Sequence, residues 1–357
     1  ILFENIIEHP GLRMCDILVK HRHTQCRALG VPQEEYLPTL AKRLRQPPRG
    51  FVDVKTGPVK EVIFTGDDVD WTKLPVPVHS DLEGQRYISA MNIVRDPETG
   101  FYNSSHAGTT PTEPRRGYMS FATPHTHLIM RKYRDMGIDE MPIAIVFGVH
   151  PAYEIMANYS GMHMDLWGEL EMVGTIMDMD VEMVPCETID LRVPANAEIV
   201  IEGWVSTECG GPGWLPEHDE PLGPGAVLEG PFGDHTGFYS LPDRYPIMEI
   251  TAVTRRRNAV FPATVVGPPP QEDYMLGKAT ERIFKPLLQL LVPDIVDYHL
   301  PLPGCFHNMA VIGIRKQWAM QARRVISAIW GAGQMAWTKC VIVVDAMGNI
   351  VANIPID

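Results

Sequence analysis

Residues Leu228–Gly237 read Leu-Glu-Gly-Pro-Phe-Gly-Asp-His-Thr-Gly, and this stretch is the most informative part of the chain. It carries two carboxylates, Glu229 and Asp234, separated by Gly-Pro-Phe-Gly. Glycine adopts backbone shapes closed to other residues and proline fixes one φ angle, so such a turn can direct both carboxylates toward one cavity. In an apolar site, one of two close carboxylates keeps its proton near neutral pH and becomes a general acid. On composition alone, an ordinary acidic turn is the other open interpretation.

Several other blocks must be considered together with this stretch. They are Gly66-Asp67-Asp68-Val69-Asp70, Arg95–Gly100 followed by Asn103, Pro185–Gly203, Ile314-Arg315-Lys316-Gln317 and Trp337-Thr338-Lys339. With residues 228–237, these blocks resemble the UbiD-type decarboxylases, which use prenylated FMN. The resemblance extends over most of the chain, from about residue 60 to residue 345.

Short β-branched or aromatic runs bounded by Gly, Pro and Asp predict strands in the middle of the chain. The predicted strands are Glu61–Thr65, Tyr87–Val94, Ile143–Val149, Glu198–Val205, Met248–Arg255 and Val260–Val265, with helices at Leu128–Met136 and Trp167–Met177 between them. Strands at this spacing favour a barrel with inserted helices. Outside the middle, we predict helices at Gln33–Arg45, Asp273–Leu291 and Gln317–Met335, a strand at Met309–Ile314 and a buried strand at Lys339–Val344.

The resemblance implies an α+β fold with a central split β-barrel, of the flavin reductase-like kind, flanked by α/β parts. It divides the chain into a partial N-terminal α/β region at 1–60, a central split-barrel domain that binds prenylated FMN at 61–265, and a partial C-terminal α/β domain at 266–357. The Gly/Pro-rich segment Ser206–Val227 is predicted as a long loop. We interpret the chain, which starts at Ile1, as a piece of a longer protein.

The resemblance also implies a metal site, in which a divalent ion holds the phosphate of prenylated FMN. The matching ligands are Asn103, His127 and Glu169, with His125 as the second choice for the histidine. Oxygen and nitrogen ligands of this kind suit Mn²⁺ or Mg²⁺ bridging to phosphate. The family places K⁺ near this ion. Without the resemblance, a structural histidine and a solvated glutamate are the better interpretations of His127 and Glu169.

Three further residues match cofactor-binding positions of the family. Lys339 corresponds to a lysine that contacts the cofactor phosphate, a role that suits a point charge. Ser160 and Met162 lie in the loop that contacts the flavin, where a methionine can pack against the ring edge. Taken alone, these residues are equally compatible with a strand-edge lysine and a methionine-rich packing loop.

One position departs from the family pattern. Typical members have an arginine five residues after the metal-binding asparagine, in a Glu–Arg–Glu network, whereas this chain has Gly108. Such an arginine pairs with carboxylates bidentately and helps to bind the carboxylate of the substrate. Either Arg115 or Arg116 reaches back from a shifted loop, or the network lacks its arginine, in which case His106 is a candidate for the charge.

The implied activity is reversible, non-oxidative decarboxylation of an aromatic or α,β-unsaturated acid, or carboxylation of an aromatic acceptor by CO₂. Side chains cannot delocalise an sp² carbanion, so a cofactor must act as the electron sink. By position, Asp234 is the proton donor and Glu229 its partner. Two alternatives stay open: a non-catalytic or flavin-binding subunit of a multi-subunit aromatic carboxylase, and an FMN reductase-like oxidoreductase.

Composition narrows the remaining function classes. The 357 residues carry 31 Lys plus Arg against 44 Asp plus Glu, a net charge of −13, which argues against nucleic acid as a partner. No apolar run approaches the length of a membrane span. Six cysteines without paired spacing predict reduced thiols and a cytoplasmic location. The resemblance implies a homo-oligomer, a dimer or a hexamer, that receives its cofactor from a flavin prenyltransferase.

Overall fold

The structure is a computed structural model that describes residues 1–16, 22–82, 85–120, 124–157, 168–209, 222–283 and 285–346. The strands in chain order are β1 Leu2–Phe3, β2 Arg13–Asp16, β3 Phe51–Asp53, β4 Val62–Thr65, β5 Ile88–Arg95, β6 Tyr102–Glu113, β7 Arg116–Ser120, β8 Glu140–Phe147, β9 Val181–Pro185, β10 Arg192–Pro194, β11 Ile199–Ser206, β12 Ala226–Glu229, β13 Asp243–Arg255, β14 Val260–Ala263, β15 Ile295–His299, β16 Met309–Ile314 and β17 Cys340–Asp345. The α-helices are α1 Arg22–Leu29, α2 Tyr36–Arg43, α3 Pro124–Asp135, α4 Pro151–Ala157, α5 Glu169–Met177, α6 Glu272–Ile283, α7 Lys285–Leu291 and α8 Gln321–Trp330.

The centre of the fold is a closed antiparallel barrel. Its strands are hydrogen-bonded in the order β11-β8-β5-β6-β7-β13, and β13 pairs back with β11 to close the ring. Closure leaves no unpaired edge within the ring. Alternate side chains of β8, from Met141 to Phe147, enter the barrel core, whereas Ala144 and Val146 pack outward with α4 and α5.

Three small mixed sheets surround the barrel. Two of them combine β1, β2 and β14, and β3, β9 and β10. The third combines β15, β16 and β17 and has its own apolar core with α8. The predicted α+β fold class is therefore confirmed. Within the described residues, no helix combines the length and the apolar composition that a membrane crossing requires.

Several element boundaries differ from the sequence predictions for identifiable reasons. The segment predicted as one helix at 273–291 forms α6 and α7, and Pro286 lies in the first turn of α7, where a missing N–H is tolerated. The helix predicted at 317–335 ends at Trp330 before Gly331, and residues Gly333–Trp337 form a separate 3₁₀ turn. The strand after Lys339 alternates between exposed and partly buried residues, so the prediction of a buried strand was wrong.

Candidate functional site

The metal-site candidates meet at the start of β6. Asn103 is 1% exposed, and its Nδ2 donates a hydrogen bond of 3.2 Å to Oγ1 of Thr126, near the N-terminus of α3. The next residue, Ser104, donates its backbone N–H to Oε2 of Glu169 at 3.2 Å. Glu169 is the first residue of α5. The first turns of two helices therefore converge on the same end of one barrel strand.

Glu169 is held in an unusual electrostatic state for a carboxylate. Burial raises its pKa to about 7, although backbone N–H groups, including that of Ser104, oppose the shift. A buried carboxylate that is only partly compensated by hydrogen bonds retains capacity for a positive ligand. The environment of Glu169 fits the predicted role of a metal ligand.

His127, the third predicted ligand, lies in the first turn of α3, directly after Thr126. Burial lowers its pKa, and so do the positive charges of Arg134 and Arg131. The spacing of these three residues puts them on one face of α3, whereas Thr126 faces Asn103. The structure thus brings Asn103 and Glu169 to the same place and puts Thr126, which sequence reasoning missed, beside Asn103.

Of the three other predicted cofactor contacts, the structure describes Lys339. Ser160 and Met162 lie outside the described residues. Among the described residues there is no group of three or more His, Cys, Asp and Glu side chains that could hold a metal ion. The predicted ligand set contains an asparagine, so it has only two side chains of these types. Lys339 is exposed, and its backbone N–H donates to the carbonyl of Asn308 at 2.9 Å.

Residues 230–242 form the loop between β12 and β13, which we call the pinned loop. Glu229 is the last residue of β12, and a cis peptide bond joins Gly230 and Pro231. Phe232 and Ser240 exchange hydrogen bonds across the loop, of 3.0 Å to the serine Oγ and 2.8 Å to the phenylalanine carbonyl. Asp234 N–H donates to the carbonyl of Phe238 at 3.2 Å. These bonds fix the backbone that carries both candidate carboxylates.

Asp234 is paired with the histidine that follows it. Its Oδ1 lies 2.9 Å from Nδ1 of His235, and its Oδ2 accepts the backbone N–H of Thr236 at 3.3 Å. Burial alone would raise the pKa of Asp234, but these partners outweigh it and lower the pKa to about 2. Burial likewise would lower the pKa of His235, but the bond to Asp234 raises it above its usual range. The proton of this pair therefore resides on the imidazole.

Aromatic side chains surround Glu229. Its negative charge, together with burial, raises the pKa values of three phenols, those of Tyr87, Tyr118 and Tyr245, with that of Tyr118 at about 12. Tyr87 also stacks on Phe232, with ring centroids 4.8 Å apart and planes 17° apart. Neutral phenols can donate hydrogen bonds to a carboxylate. The surroundings of Glu229 are thus aromatic and rich in neutral donors.

Tyr87 also accounts for the absence of a side chain at Gly108. A Cβ atom built on Gly108 would lie 1.9 Å from the hydroxyl oxygen of Tyr87 and 2.5 Å from its Cζ. Real Cβ atoms essentially never approach other atoms within 3.0 Å. The phenol therefore occupies the space into which any side chain at position 108 would project. Tyr87 was not predicted as a site residue, because no local sequence pattern links positions 87 and 108.

The sequence-based substitutes for the family arginine have other partners. Nη1 of Arg115 lies 3.6 Å from Oδ1 of Asp67, and Arg116 is exposed at the start of β7. His106 Nε2 lies 2.7 Å from Oε2 of Glu154 in α4. Its charge also acts on Asp273, whose pKa is raised by burial. His106 is therefore paired with Glu154, a residue that the sequence had not singled out.

Comparison with known proteins gives two matching family descriptions. Residues 51–269 match the 3-octaprenyl-4-hydroxybenzoate carboxy-lyase Rift-related domain of UbiD, and residues 274–352 match the corresponding C-terminal domain. An uncharacterized protein of Archaeoglobus fulgidus is 39% identical over 308 residues, which are 84% of this chain and 59% of that protein. One of Aquifex aeolicus is 37% identical over 300 residues, which are 83% of this chain and 58% of that protein. The chain thus spans less than two thirds of the length of these curated relatives.

Two solved structures are similar over nearly the whole chain. An evolved dimeric form of the UbiD-class enzyme HmfF from Pelotomaculum thermopropionicum, in complex with prFMN, is 31% identical with a TM-score of 0.79, over 98% of this chain and 77% of that chain. The vanillic acid decarboxylase of Sedimentibacter hydroxybenzoicus in closed form is 22% identical with a TM-score of 0.84, over 98% and 72%. At 22% identity, the similarity to the vanillic acid decarboxylase shows a shared fold and nothing about function.

Proposed function

The chain belongs to the UbiD family of carboxy-lyases, and from this premise we propose that it catalyses reversible, non-oxidative decarboxylation of an aromatic or α,β-unsaturated acid with prenylated FMN. The observation that carries the proposal is the pinned loop, which holds Glu229 and Asp234 beside an aromatic surface formed by Tyr87, Tyr245 and Phe232. A flat, apolar surface beside two carboxylates suits a planar acid. The family cofactor, when bound, supplies the electron sink that the carbanion needs.

Asn103 and Glu169 are the proposed holders of the cofactor phosphate, through Mn²⁺ or Mg²⁺ with K⁺ nearby. Carboxylate and amide oxygens suit such hard cations, and the buried carboxylate of Glu169 fits this role. The first turns of α3 and α5 add backbone N–H groups that favour a phosphate. His127 stays the family-based choice for the third ligand, with Lys339, Ser160 and Met162 as further proposed contacts.

Glu229 and Asp234 are the proposed acid–base residues. Asp234 delivers a proton to the carbon that loses CO₂, and Glu229 positions the reacting group against the phenols. Because Asp234 is ionised at neutral pH, its donor role needs a nearby proton, and His235 supplies one at 2.9 Å. As in the dimeric form of its structural relative, we propose a homo-oligomer, located in the cytoplasm, with its cofactor made by a flavin prenyltransferase.

The test is co-expression with a flavin prenyltransferase, followed by mass spectrometry of the released cofactor and metal analysis of the same sample. We expect prenylated FMN with near-stoichiometric manganese, and hydrogen–deuterium exchange in the decarboxylated product at the carbon that carries the carboxylate in the acid. Asp234→Asn is expected to abolish exchange while the cofactor stays bound. Asp190→Asn, at an exposed carboxylate that pairs with Arg95, is the matched control. Exchange retained within a few-fold in Asp234→Asn contradicts the assignment.

A flavin-binding subunit without catalysis is the second candidate, and the filled space at Gly108 favours it. If the family arginine is essential, a phenol in its place leaves the carboxylate of a substrate without a cation. Bound cofactor with no decarboxylation of any aromatic acid tested, and no exchange in the corresponding decarboxylated compounds, would support this candidate. Oxidation of NAD(P)H by the FMN-loaded protein would instead indicate a reductase.

A further inference from the structure

A row of three side chains connects the pinned loop to the C-terminal part of the chain. Oδ1 of Asp234 lies 2.9 Å from Nδ1 of His235, and Nε2 of His235 lies 2.6 Å from Nε2 of His307. His307 comes from the segment between β15 and β16, 72 residues further along the chain. The family match and the proposed mechanism give no role to this histidine.

The segment that carries His307 is held firmly against the loop. Cys305 and Phe306 both have left-handed backbones, with φ angles of 46° and 51°, a conformation uncommon for residues other than glycine. The ring of Phe306 packs 5.3 Å from that of His235. The carbonyl of His307 accepts a hydrogen bond of 2.8 Å from Oγ1 of Thr338. An uncommon backbone fixed by such contacts is a feature of functional sites.

The protons of the two imidazoles can be assigned from their partners. Nδ1 of His235 faces a carboxylate, so it carries a hydrogen, and a protonated ring carries a second hydrogen on Nε2. That second N–H donates to Nε2 of His307, which leaves the proton of a neutral His307 on Nδ1. Nδ1 of His307 is buried and finds no hydrogen-bond partner within the described residues. A buried donor without a partner destabilises the fold, so its presence calls for a functional or structural explanation.

The charges around the pair favour this division of protons. His235 faces the carboxylates of Asp234 and of Asp273, the second residue of α6. Burial and the positive charges of His235 and Lys339 lower the pKa of His307 to about 4, although the charge of Asp234 opposes the shift. The thiol of Cys305, 3.9 Å from the carbonyl of His235, is held neutral because burial raises its pKa. One imidazole is thus kept charged and the other neutral.

We propose that His307 is a positioning residue that holds His235 as the proton source of Asp234, so that the C-terminal part of the chain completes the acid of the site. This chemistry rests on the proposed function. The N–H bond at Nδ1 of His235 breaks as an O–H bond forms at Oδ1 of Asp234. Asp234 then passes this proton to the carbon from which CO₂ departs. Neutral His235 keeps its Nε2–H toward His307 and regains a proton at Nδ1 from water, so one proton is consumed for each CO₂ released.

The test replaces the acceptor while keeping the loop. His307→Phe removes the acceptor nitrogen, and His307→Gln restores an acceptor oxygen at nearly the position of Nε2. The readout is the titration of His235, followed by NMR of histidine labelled with ¹⁵N, beside the pH profile of hydrogen–deuterium exchange. Loss of a charge-assisted hydrogen bond should lower the pKa of His235 by about one to two units in His307→Phe. His307→Gln should restore most of this shift, and His9→Ala serves as a distant histidine control.

The pH profile should follow the titration. In His307→Phe, the basic limb of the exchange profile is expected to move to lower pH, with kcat falling and KM unchanged. If His307→Phe does not fold, Thr338→Val loosens the same residue through its carbonyl and should produce a smaller shift in the same direction. An unchanged pKa of His235 in the folded variants overturns the proposal. A shifted titration in a protein without exchange activity supports the positioning role and overturns the proposed decarboxylation instead.

Discussion

The replacement Gly108→Ala tests whether the tyrosine that fills the site is a fixed part of it. The added Cβ would lie 1.9 Å from the hydroxyl oxygen of Tyr87, about 1.5 Å short of an ordinary contact at 3.4 Å. To make room, the ring of Tyr87 would have to move by about 1.5 Å, which would disrupt its stacking on Phe232 of the pinned loop. Overpacking of this kind costs about 1–3 kcal/mol, and loss of the aromatic pair adds roughly 0.5–1.5 kcal/mol. We therefore expect Gly108→Ala to lower the free energy of unfolding by about 2–4 kcal/mol.

The assay is urea denaturation followed by circular dichroism, arranged as a double-mutant cycle with Tyr87→Ala. In the Tyr87→Ala background the space is vacant, so Gly108→Ala should cost almost nothing, and the cycle should show a coupling of about 2–4 kcal/mol. Gly50→Ala is the matched control, because a Cβ at Gly50 meets nothing within 4 Å. An equal cost of Gly108→Ala in both backgrounds would refute the reasoning, since position 108 would then be kept bare by something other than Tyr87.

Other predictions concern the ligand site, the core and the pH dependence of stability. Glu169→Ala should lose cofactor and manganese, measured by flavin absorbance and metal analysis, whereas the exposed Glu98→Ala should retain both; full occupancy in Glu169→Ala would show that the match is misplaced. Glu202 is fully buried and accepts two backbone N–H groups and the hydroxyl of Thr188. Glu202→Leu leaves these donors unpaired and should lower the unfolding free energy by about 3 kcal/mol or more, with a smaller loss in Glu202→Gln. His307 has a folded pKa of about 4 against an ordinary 6.5, so the unfolded chain binds more protons between these values, and stability should rise with pH across that window by up to about 3 kcal/mol. Urea midpoints measured from pH 4 to 7 should show this rise, and His307→Gln should flatten it; an unchanged slope would contradict the assigned burial of a neutral imidazole.

The barrel strands with regular apolar patterns were well predicted from the sequence. Strands β5, β8 and β11 begin and end close to the predicted limits, because their side chains alternate between two apolar surfaces. Strand β6 was missed, although it lies at the centre of the candidate site. Its inner positions carry Asn103 and Ser105, which bond to Thr126 and Asn92 instead of joining the apolar core. Polar residues at these inner positions thus mask the apolar alternation by which a strand is recognised, at the place where the candidate site lies.

The candidate site was proposed from the family resemblance. Residues such as Tyr87 were not predicted, because neither the resemblance nor a local sequence motif points to them. The predicted pair Glu229 and Asp234 and the predicted ligand Glu169 were proposed from blocks that resemble the family. Tyr87 acts on Gly108 through the pairing of β5 with β6, in which Ser89 lies opposite Gly108. Such cross-strand neighbours are set by register, which a single sequence specifies only after the strands themselves are known.

A phenol, that of Tyr87, occupies the space at position 108 where the family pattern predicts an arginine, and this difference changes what the proposed site can recognise. An arginine between two carboxylates would add one positive charge and several N–H donors for carboxylates, whereas Tyr87 contributes hydrogen bonding and an apolar ring but no charge. The positive charge available near Asp234 is instead that of His235, held between two carboxylates and the neutral ring of His307. A histidine can surrender its charge within the physiological pH range, and an arginine cannot. We therefore predict that the proposed activity falls with rising pH through the raised pKa of His235, and exchange assays at pH 6 and 9 on the same substrate test this prediction.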